Sequence, residues 1–189
     1  MTAQPHPAPV SIADYLAGEE GSDVKHEYLG GVVHAMAGGN NRHSAISSNA
    51  LAALAARLRG KDCRPFNSDA KVRIELPYHT RFYYPDAMVV CRRNPDTDHF
   101  HDHPVVIVEV LSDSTRRIDL TEKREAYLTI GTLRELLFVE PDEPRVTVHR
   151  RKASGGFEAE EYTGTDAVIT LPEIDAELPL QELYDGIAF

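Results

Sequence analysis

The stretch that most constrains the fold is PVVIVEVL, residues 104–111, the most apolar strand pattern in the chain. Alternate residues of a strand share a face, so this one would be apolar on both sides. Such a strand belongs inside a sheet that is covered on both faces. Glu109 interrupts the run, and an ionised buried carboxylate is costly unless a cation or a metal ion pairs with it. Either a cation meets Glu109, or its surroundings are wetter than the sequence suggests.

Helix and strand patterns follow one another along the rest of the chain. Ser11 can cap a short helix, and apolar spacing within 43–60 predicts the clearest helix. The segment KHEYLGGVVHAMAGG predicts a hairpin that turns at Gly30 and Gly31. We expect strands in 64–76, a single strand in RFYYPDAMVVC (81–91), a helix in 112–131, and then more strands. This order predicts an α/β fold of the α+β kind, a mixed β-sheet flanked by helices with extra hairpins, rather than a doubly wound parallel sheet.

Length and composition limit the number of domains and the cellular compartments that are expected for this chain. A chain of 189 residues favours one domain, expected over 11–189 after a flexible proline-rich arm at 1–10. The N-terminus lacks the pattern of a signal peptide, and no apolar run approaches the ~20 residues that span a bilayer. Cys63 and Cys91 lie far apart, match neither a disulfide framework nor a zinc site, and fit a reducing compartment. We therefore expect a cytoplasmic protein with no membrane partner.

A formal net charge of −10 argues against general affinity for nucleic acids. A field of this sign repels phosphate, so a nucleic-acid role would need a local basic patch. Arg116 and Arg117 follow Glu109 closely in sequence and are the candidates for contacting DNA.

A second carboxylate precedes the next strand pattern upstream. Asp86 follows Pro85 and opens the apolar run AMVV, so it is expected at the mouth of a strand. Two carboxylates on neighbouring strands could share one ion, and oxygen ligands suit Mg²⁺ or Mn²⁺. Each residue also has a simpler interpretation: Asp86 as a turn residue, and Glu109 as the partner of a buried arginine or lysine.

Lys123 lies on the helix predicted after Glu109, with Tyr127 one turn further on. Its simpler interpretation is a pair with Asp119, four residues earlier, on a solvated face, worth only ~0.2–0.5 kcal/mol. Its functional interpretation is a cation directed back at the end of the strand.

Several short motifs occur in order between about residue 11 and residue 150: HEYLGG, NRHS, YPD, VEVLS, and then Asp119, Lys123 and Tyr127. This ordered set resembles the PD-(D/E)XK nuclease superfamily, and in particular its Uma-type branch of restriction endonucleases. The superfamily usually has a lysine two residues after the glutamate, where this chain has Leu111. The resemblance to the Uma-type branch implies that Lys123, from the following helix, takes that role.

The resemblance implies a restriction-endonuclease-like core and Mg²⁺-dependent hydrolysis of DNA by an endonuclease, with Mn²⁺ as a possible substitute. It implies that Asp86 and Glu109 hold the metal, with the backbone carbonyl of Val110 as a third ligand. Lys123 would orient the attacking water and offset the charge that develops on phosphorus. By analogy with restriction enzymes that cut both strands, we expect a homodimer.

Two further candidate catalytic residues keep two interpretations each. Glu27 could be an additional ligand or a nearby acceptor, or it could pair within its hairpin with Lys25 or Arg42. His43 could touch phosphate or support a ligand, or it could cap the start of the long helix.

Two competing hypotheses remain for the whole chain. One is an inactive nuclease-fold protein that binds nucleic acid or protein, which the acidic net charge and the displaced lysine permit. The other is a hydrolase for a different substrate class. The histidines of DHFHDH, His99, His101 and His103, could bind a transition metal, but their setting favours a solvated loop.

Overall fold

The computed structural model describes residues 8–36 and 38–189. The first half of this part contains α1 (Ile12–Glu20), β1 (His26–Leu29), β2 (Val32–Ala35), α2 (Asn41–Leu58), β3 (Arg64–Asn67), β4 (Lys71–Glu75), β5 (Thr80–Tyr83), β6 (Ala87–Val90) and β7 (Phe100–His101). The second half contains β8 (Pro104–Val110), α3 (Arg116–Ile118), a π-helical turn (Asp119–Lys123), α4 (Arg124–Tyr127), β9 (Glu135–Val139), β10 (Arg145–Arg151), β11 (Phe157–Thr163), β12 (Val168–Leu171), a 3-10 turn (Pro172–Ile174), β13 (Ala176–Pro179) and α5 (Leu180–Leu183).

The larger of the sheets has six strands in the order β11-β10-β9-β8-β6-β3. Strand β8 is parallel to β9 and antiparallel to β6, so the sheet is mixed. All seven residues of β8 are buried. The prediction of a mixed sheet with PVVIVEV as an interior strand is confirmed.

A second sheet of five strands has the order β2-β1-β5-β4-β7. The prediction that RFYYPDAMVVC forms one strand was wrong. Its first part is β5 in the five-stranded sheet, and its last part is β6 in the six-stranded sheet. The chain passes between the sheets at Tyr84, Pro85 and Asp86, where proline removes a backbone donor and favours a break in a strand.

Two apolar clusters cover opposite faces of the six-stranded sheet. On one face α2, β12, β13 and α5 pack against Val106 and Val108 of β8. On the other face β4, β5 and α4 pack against Ile107 and Leu136. Both faces are covered, as the apolar pattern of β8 predicts, and helices flank the sheet.

Local sequence signals account for the starts of α1 and α2 and for the turn of the first hairpin. Ser11 accepts a hydrogen bond from the N–H of Asp14 at 3.1 Å, which caps α1 as expected. Asn40 caps α2 in the same way, accepting from the N–H of His43 at 2.9 Å. The hairpin β1–β2 turns at Gly30 and Gly31, whose φ angles of 59° and 104° favour glycine.

The structure describes only the last part of the predicted arm at 1–10, because residues 1–7 lie outside the described residues. At its end, the N–H of Val10 donates to the carbonyl of Gly31 at 2.9 Å. Within the described ranges, no helix combines the length and the apolar character needed to cross a bilayer.

Cys63 and Cys91 form a disulfide, which corrects the prediction made from their distance in sequence. Strands β3 and β6 are antiparallel neighbours with Arg64 opposite Val90, so the next position outward brings the two cysteines together. The cysteine pattern therefore gives no support to the predicted reducing compartment.

Candidate active site

Asp86 and Glu109 meet at the end of the β6–β8 pair. The antiparallel register sets Ala87 against Val108, so the next position sets Asp86 across from Glu109. Asp86 Oδ2 accepts a hydrogen bond from the N–H of Val110 at 2.7 Å. Both carboxylates line the same cavity of about 430 Å³. The structure thus brings together the two acids that the sequence singled out.

Glu109 is 4% exposed, and its surroundings are dry. The Tyr127 hydroxyl donates a hydrogen bond of 2.6 Å to Glu109 Oε1, and Lys123 Nζ lies 3.7 Å from the same oxygen. Burial raises the pKa of Glu109 to about 8, although the Lys123 ammonium opposes the rise. The nearby carboxylates of Asp86 and Asp119 add to the rise.

Lys123 is 6% exposed and lies among carboxylates. Its Nζ is 2.8 Å from Glu27 Oε1, although the angle is not that of a hydrogen bond, and 3.4 Å from Asp119 Oδ1. Burial by itself would lower the pKa of Lys123, but Glu109, Glu27 and Asp119 together raise it, so the ammonium stays charged. The pair with Asp119 exists, but Asp119 is 2% exposed, so the interpretation of a solvated face was wrong.

Lys123 is directed at the end of β8 by the helical segment that follows that strand. A five-residue π-helical turn begins at Asp119 and ends at Lys123, and α4 then carries Tyr127. Single π-helical turns occur often at functional sites. Lys123 and Tyr127 contact the Glu109 carboxylate, and Asp119 pairs with Lys123.

Glu27 reaches this cluster from β1 and pairs with Lys123. The interpretation of a pair within the hairpin was wrong, because Lys25 and Arg42 each pair with an aspartate elsewhere in the chain.

His43 lies in the first turn of α2 with its Nε2 3.2 Å from Asp86 Oδ2. The hydrogen bond to Asp86 raises the pKa of His43, against the opposing effect of burial, and the backbone of Val110 adds to the rise. The capping interpretation was wrong, since Asn40 provides the cap.

Arg116 and Arg117 stand apart from these residues. Arg116 donates two hydrogen bonds to the Glu140 carboxylate, at 2.8 and 2.5 Å, while Arg117 is exposed on α3. Neither lines the cavity as the described residues define it.

The DHFHDH segment is only partly the solvated loop that we expected. His101 belongs to β7, is half-buried, and its ring centroid lies 4.1 Å from that of Phe66. His99 pairs with Glu20 at the surface. In 8–36 and 38–189, no group of three or more histidine, cysteine, aspartate or glutamate side chains is arranged to hold a metal ion.

Asp86 and Glu109 nevertheless supply carboxylate oxygens of the kind that a hard divalent cation takes as ligands. Mg²⁺ is usually bound through one or two carboxylates, with water and substrate phosphate completing the octahedron. The buried Glu109 carboxyl also lacks a full counter-charge, because the single Lys123 ammonium is shared with Glu27 and Asp119.

Sequence reasoning missed one surface of this site. Ser44, Ser47 and Ser48 of α2 line the cavity. Their spacing of three and four residues places them on one side of the helix, which could have marked them as a second functional face.

The comparisons with known proteins agree with this architecture. A family model, Uma2, described as "Putative restriction endonuclease", matches residues 12–181. The chain belongs to the Uma2 family.

Two relatives come from Synechocystis sp., each named as an uncharacterised protein. One is 32% identical over 182 residues, which cover 95% of this chain and 94% of the relative. The other is 28% identical over 163 residues, which cover 85% and 91%.

A crystal structure described as a putative nuclease belonging to DUF820, from Anabaena variabilis, has a similar fold. The TM-score is 0.72 at 20% identity, and the match covers 93% of this chain and 98% of that one. Together with the Uma2 match, it establishes the restriction-endonuclease-like fold expected from the PD-(D/E)XK resemblance.

Proposed function

We propose that this Uma2 family member is a divalent-metal-dependent endonuclease that hydrolyses phosphodiester bonds in DNA. The observation that carries the proposal is that Asp86, Glu109 and Lys123 border one cavity. Two carboxylates beside a buried ammonium form a set able to hold a metal, a phosphate and a water together.

Asp86 and Glu109 are the proposed ligands of Mg²⁺ or Mn²⁺, and the Val110 carbonyl is the proposed third. When bound, such an ion lowers the pKa of a water molecule and polarises the scissile phosphate. Asp86 is fixed for this task by the Val110 N–H, and Glu109 by the Tyr127 hydroxyl.

Lys123 is the proposed group that orients the attacking water and offsets charge on the phosphate. Its ammonium is held by carboxylates on two sides, Glu27 from β1 and Asp119 from the π-helical turn. We assign Glu27 to holding Lys123 rather than to the metal. His43 is the proposed support of Asp86, because its ring lies against the carboxylate oxygen that accepts the Val110 N–H.

The test is a cleavage assay on plasmid, linear duplex and single-stranded DNA, with Mg²⁺, Mn²⁺ or EDTA. We expect cleavage that requires a divalent ion and that Asp86→Ala and Glu109→Gln abolish. Glu158→Gln, at an exposed position far along the chain, is the matched control. Cleavage that survives both active-site substitutions would come from a contaminating nuclease and would remove the proposal.

The competing proposal is an inactive nuclease-fold module that binds nucleic acid or protein. It is supported by Leu111 in the usual lysine position and by the pairing of Arg116 with Glu140. Metal-independent binding of DNA, without nicking under any divalent ion, would favour it.

A further inference from the structure

The cavity extends well beyond the carboxylates. One wall is the side of α2 that carries Ser44, Ser47, Ser48 and Leu51, at relative positions of zero, three, four and seven. Met36 adds a second apolar group. Hydroxyl groups beside apolar surface are what a nucleobase requires, since a base has an apolar face and a polar edge.

The reacting groups are buried in the wall of this cavity. Glu109 and Lys123 line it and are 4% and 6% exposed. Its volume of about 430 Å³ is within the ~300–1000 Å³ range of pockets that take one small ligand. A nucleotide stacked and paired in a duplex cannot enter such a pocket unless it leaves the stack.

The charges around the cavity do not favour a duplex either. Lys25, on the cavity wall, pairs with Asp69 at 2.5 Å, and Arg116 pairs with Glu140. The whole chain has a formal net charge of −10. Duplex binding depends on a row of cations that neutralise successive phosphates. The pairs with Asp69 and Glu140 neutralise Lys25 and Arg116, while Arg117 is exposed on α3.

We propose that the substrate strand reaches this site unpaired, with one nucleotide seated in the cavity against α2. The face of the base packs on Leu51 and Met36, and its edge meets the hydroxyl groups of Ser44 and Ser48. The adjacent phosphate then lies beside Asp86, Glu109 and Lys123. This inference rests on the proposed nuclease function and narrows its substrate to single-stranded or locally unpaired nucleic acid.

The test measures binding separately from cleavage. The probe is a fluorescein-labelled DNA strand of mixed sequence, alone or annealed to its complement, titrated with the full chain in EDTA by fluorescence anisotropy. We expect the single strand to bind at least about tenfold more tightly than the duplex, the effect of roughly one base contact.

Ser48→Tyr fills the cavity from the exposed side of α2 and should weaken binding of the single strand about tenfold. Ala56→Tyr, an exposed position two turns further along the same helix, is the matched control and should leave binding unchanged. Thermal unfolding of both variants shows whether either substitution disturbs the fold. Because Ser48 and Ala56 both point away from the buried face of α2, both variants should remain folded.

The outcomes separate the two proposals. Equal or tighter binding of the duplex, or binding of the single strand that Ser48→Tyr leaves unchanged, overturns the inference, whatever the cleavage assay shows. Cavity-dependent binding of the single strand without cleavage supports the inference and contradicts the proposed nuclease. If neither form of DNA is bound or cut, both proposals fail.

Discussion

At the scale of single residues, Glu109 combines an ionisable carboxyl with a buried position. It is buried in a strand, and among the described residues its cation partner is the Lys123 ammonium, which Glu27 and Asp119 share. Burial raises the pKa of its carboxyl to about 8. The folded chain therefore retains a proton on Glu109 over a pH range in which the unfolded chain has released it.

This difference predicts how stability depends on pH without divalent ions. From about pH 5 to about pH 8 the folded chain binds more protons than the unfolded chain, so its stability falls as pH rises, by up to about 1 kcal/mol per pH unit. Glu109→Gln removes this loss and keeps an acceptor for Tyr127. We expect urea unfolding to show a gap between variant and wild type that widens with pH. A gap of constant size would contradict the assignment, and Glu158→Gln is the exposed control.

Lys123→Met should be strongly destabilising. It leaves Glu27 and Asp119 without their shared cation, and breaking a buried pair costs about 3–5 kcal/mol. Urea denaturation measures the loss, and Lys152→Met is the control on an exposed lysine.

The same lysine can be tested for catalysis apart from folding. Adding Glu27→Gln to Lys123→Met removes one of the stranded charges, so we expect part of the stability to return. Cleavage should stay absent in the double variant, because no ammonium remains to orient water. Recovery of cleavage together with stability would show that Lys123 has only a structural role.

At the scale of elements, α2 serves both the core and the site. Its buried side packs Ile46, Leu54 and Leu58 into the core, while its first turn carries His43 to Asp86. The Asn40 cap fixes that turn by accepting the His43 N–H. The helix start and the support of a proposed ligand therefore depend on the same hydrogen bond.

Asn40→Ala should lower the free energy of unfolding by about 1 kcal/mol, the usual cost of losing a helix cap. Asn41→Ala, one residue inside the helix and exposed, should change it little. Chemical denaturation of the two variants makes the comparison, and equal effects would argue against the cap.

The β3–β6 pair is joined by the Cys63–Cys91 disulfide next to the strand that follows Asp86. Thiol titration of the chain unfolded without reductant should find no free thiol. Reduction should lower stability by about 3 kcal/mol, because the bond closes a loop in the unfolded chain. The double variant Cys63→Ser with Cys91→Ser should match the reduced protein. Two titratable thiols in the untreated chain would overturn the pairing.

At the scale of the whole molecule, the site lies where the two sheets meet. Asp86 follows the crossing from the five-stranded to the six-stranded sheet, Glu27 comes from the former, and Glu109 comes from the latter. The relative position of the sheets thus sets the distance between Glu27 and the proposed ligands.

The expected homodimer is a property at this scale as well. Cutting both strands of a duplex calls for two sites, whereas cutting an unpaired strand calls for one. Size-exclusion chromatography with light scattering should give twice the chain mass of 21.0 kDa if the analogy with restriction enzymes holds. A mass of one chain would remove the dimer and would agree with a single-stranded substrate.

Much of the framework could be predicted from local patterns. The apolar run of β8, the paired glycines of the first hairpin and the periodicity of α2 act over a few residues, so sequence shows them directly. The break inside RFYYPDAMVVC was harder to predict. Pro85 indicates an interruption of the strand, but it does not indicate that the two parts join different sheets.

Local sequence patterns predict a carboxylate inside a central strand and a second one at the start of a neighbouring strand, and they show which family motifs surround the two. Which charges meet follows from the tertiary arrangement: Glu27 with Lys123, His43 with Asp86, Arg116 with Glu140. The physical reason is that strand periodicity is a short-range property, whereas ion pairs and the Cys63–Cys91 bond depend on strand order, register and the angle at which helices return to the sheet.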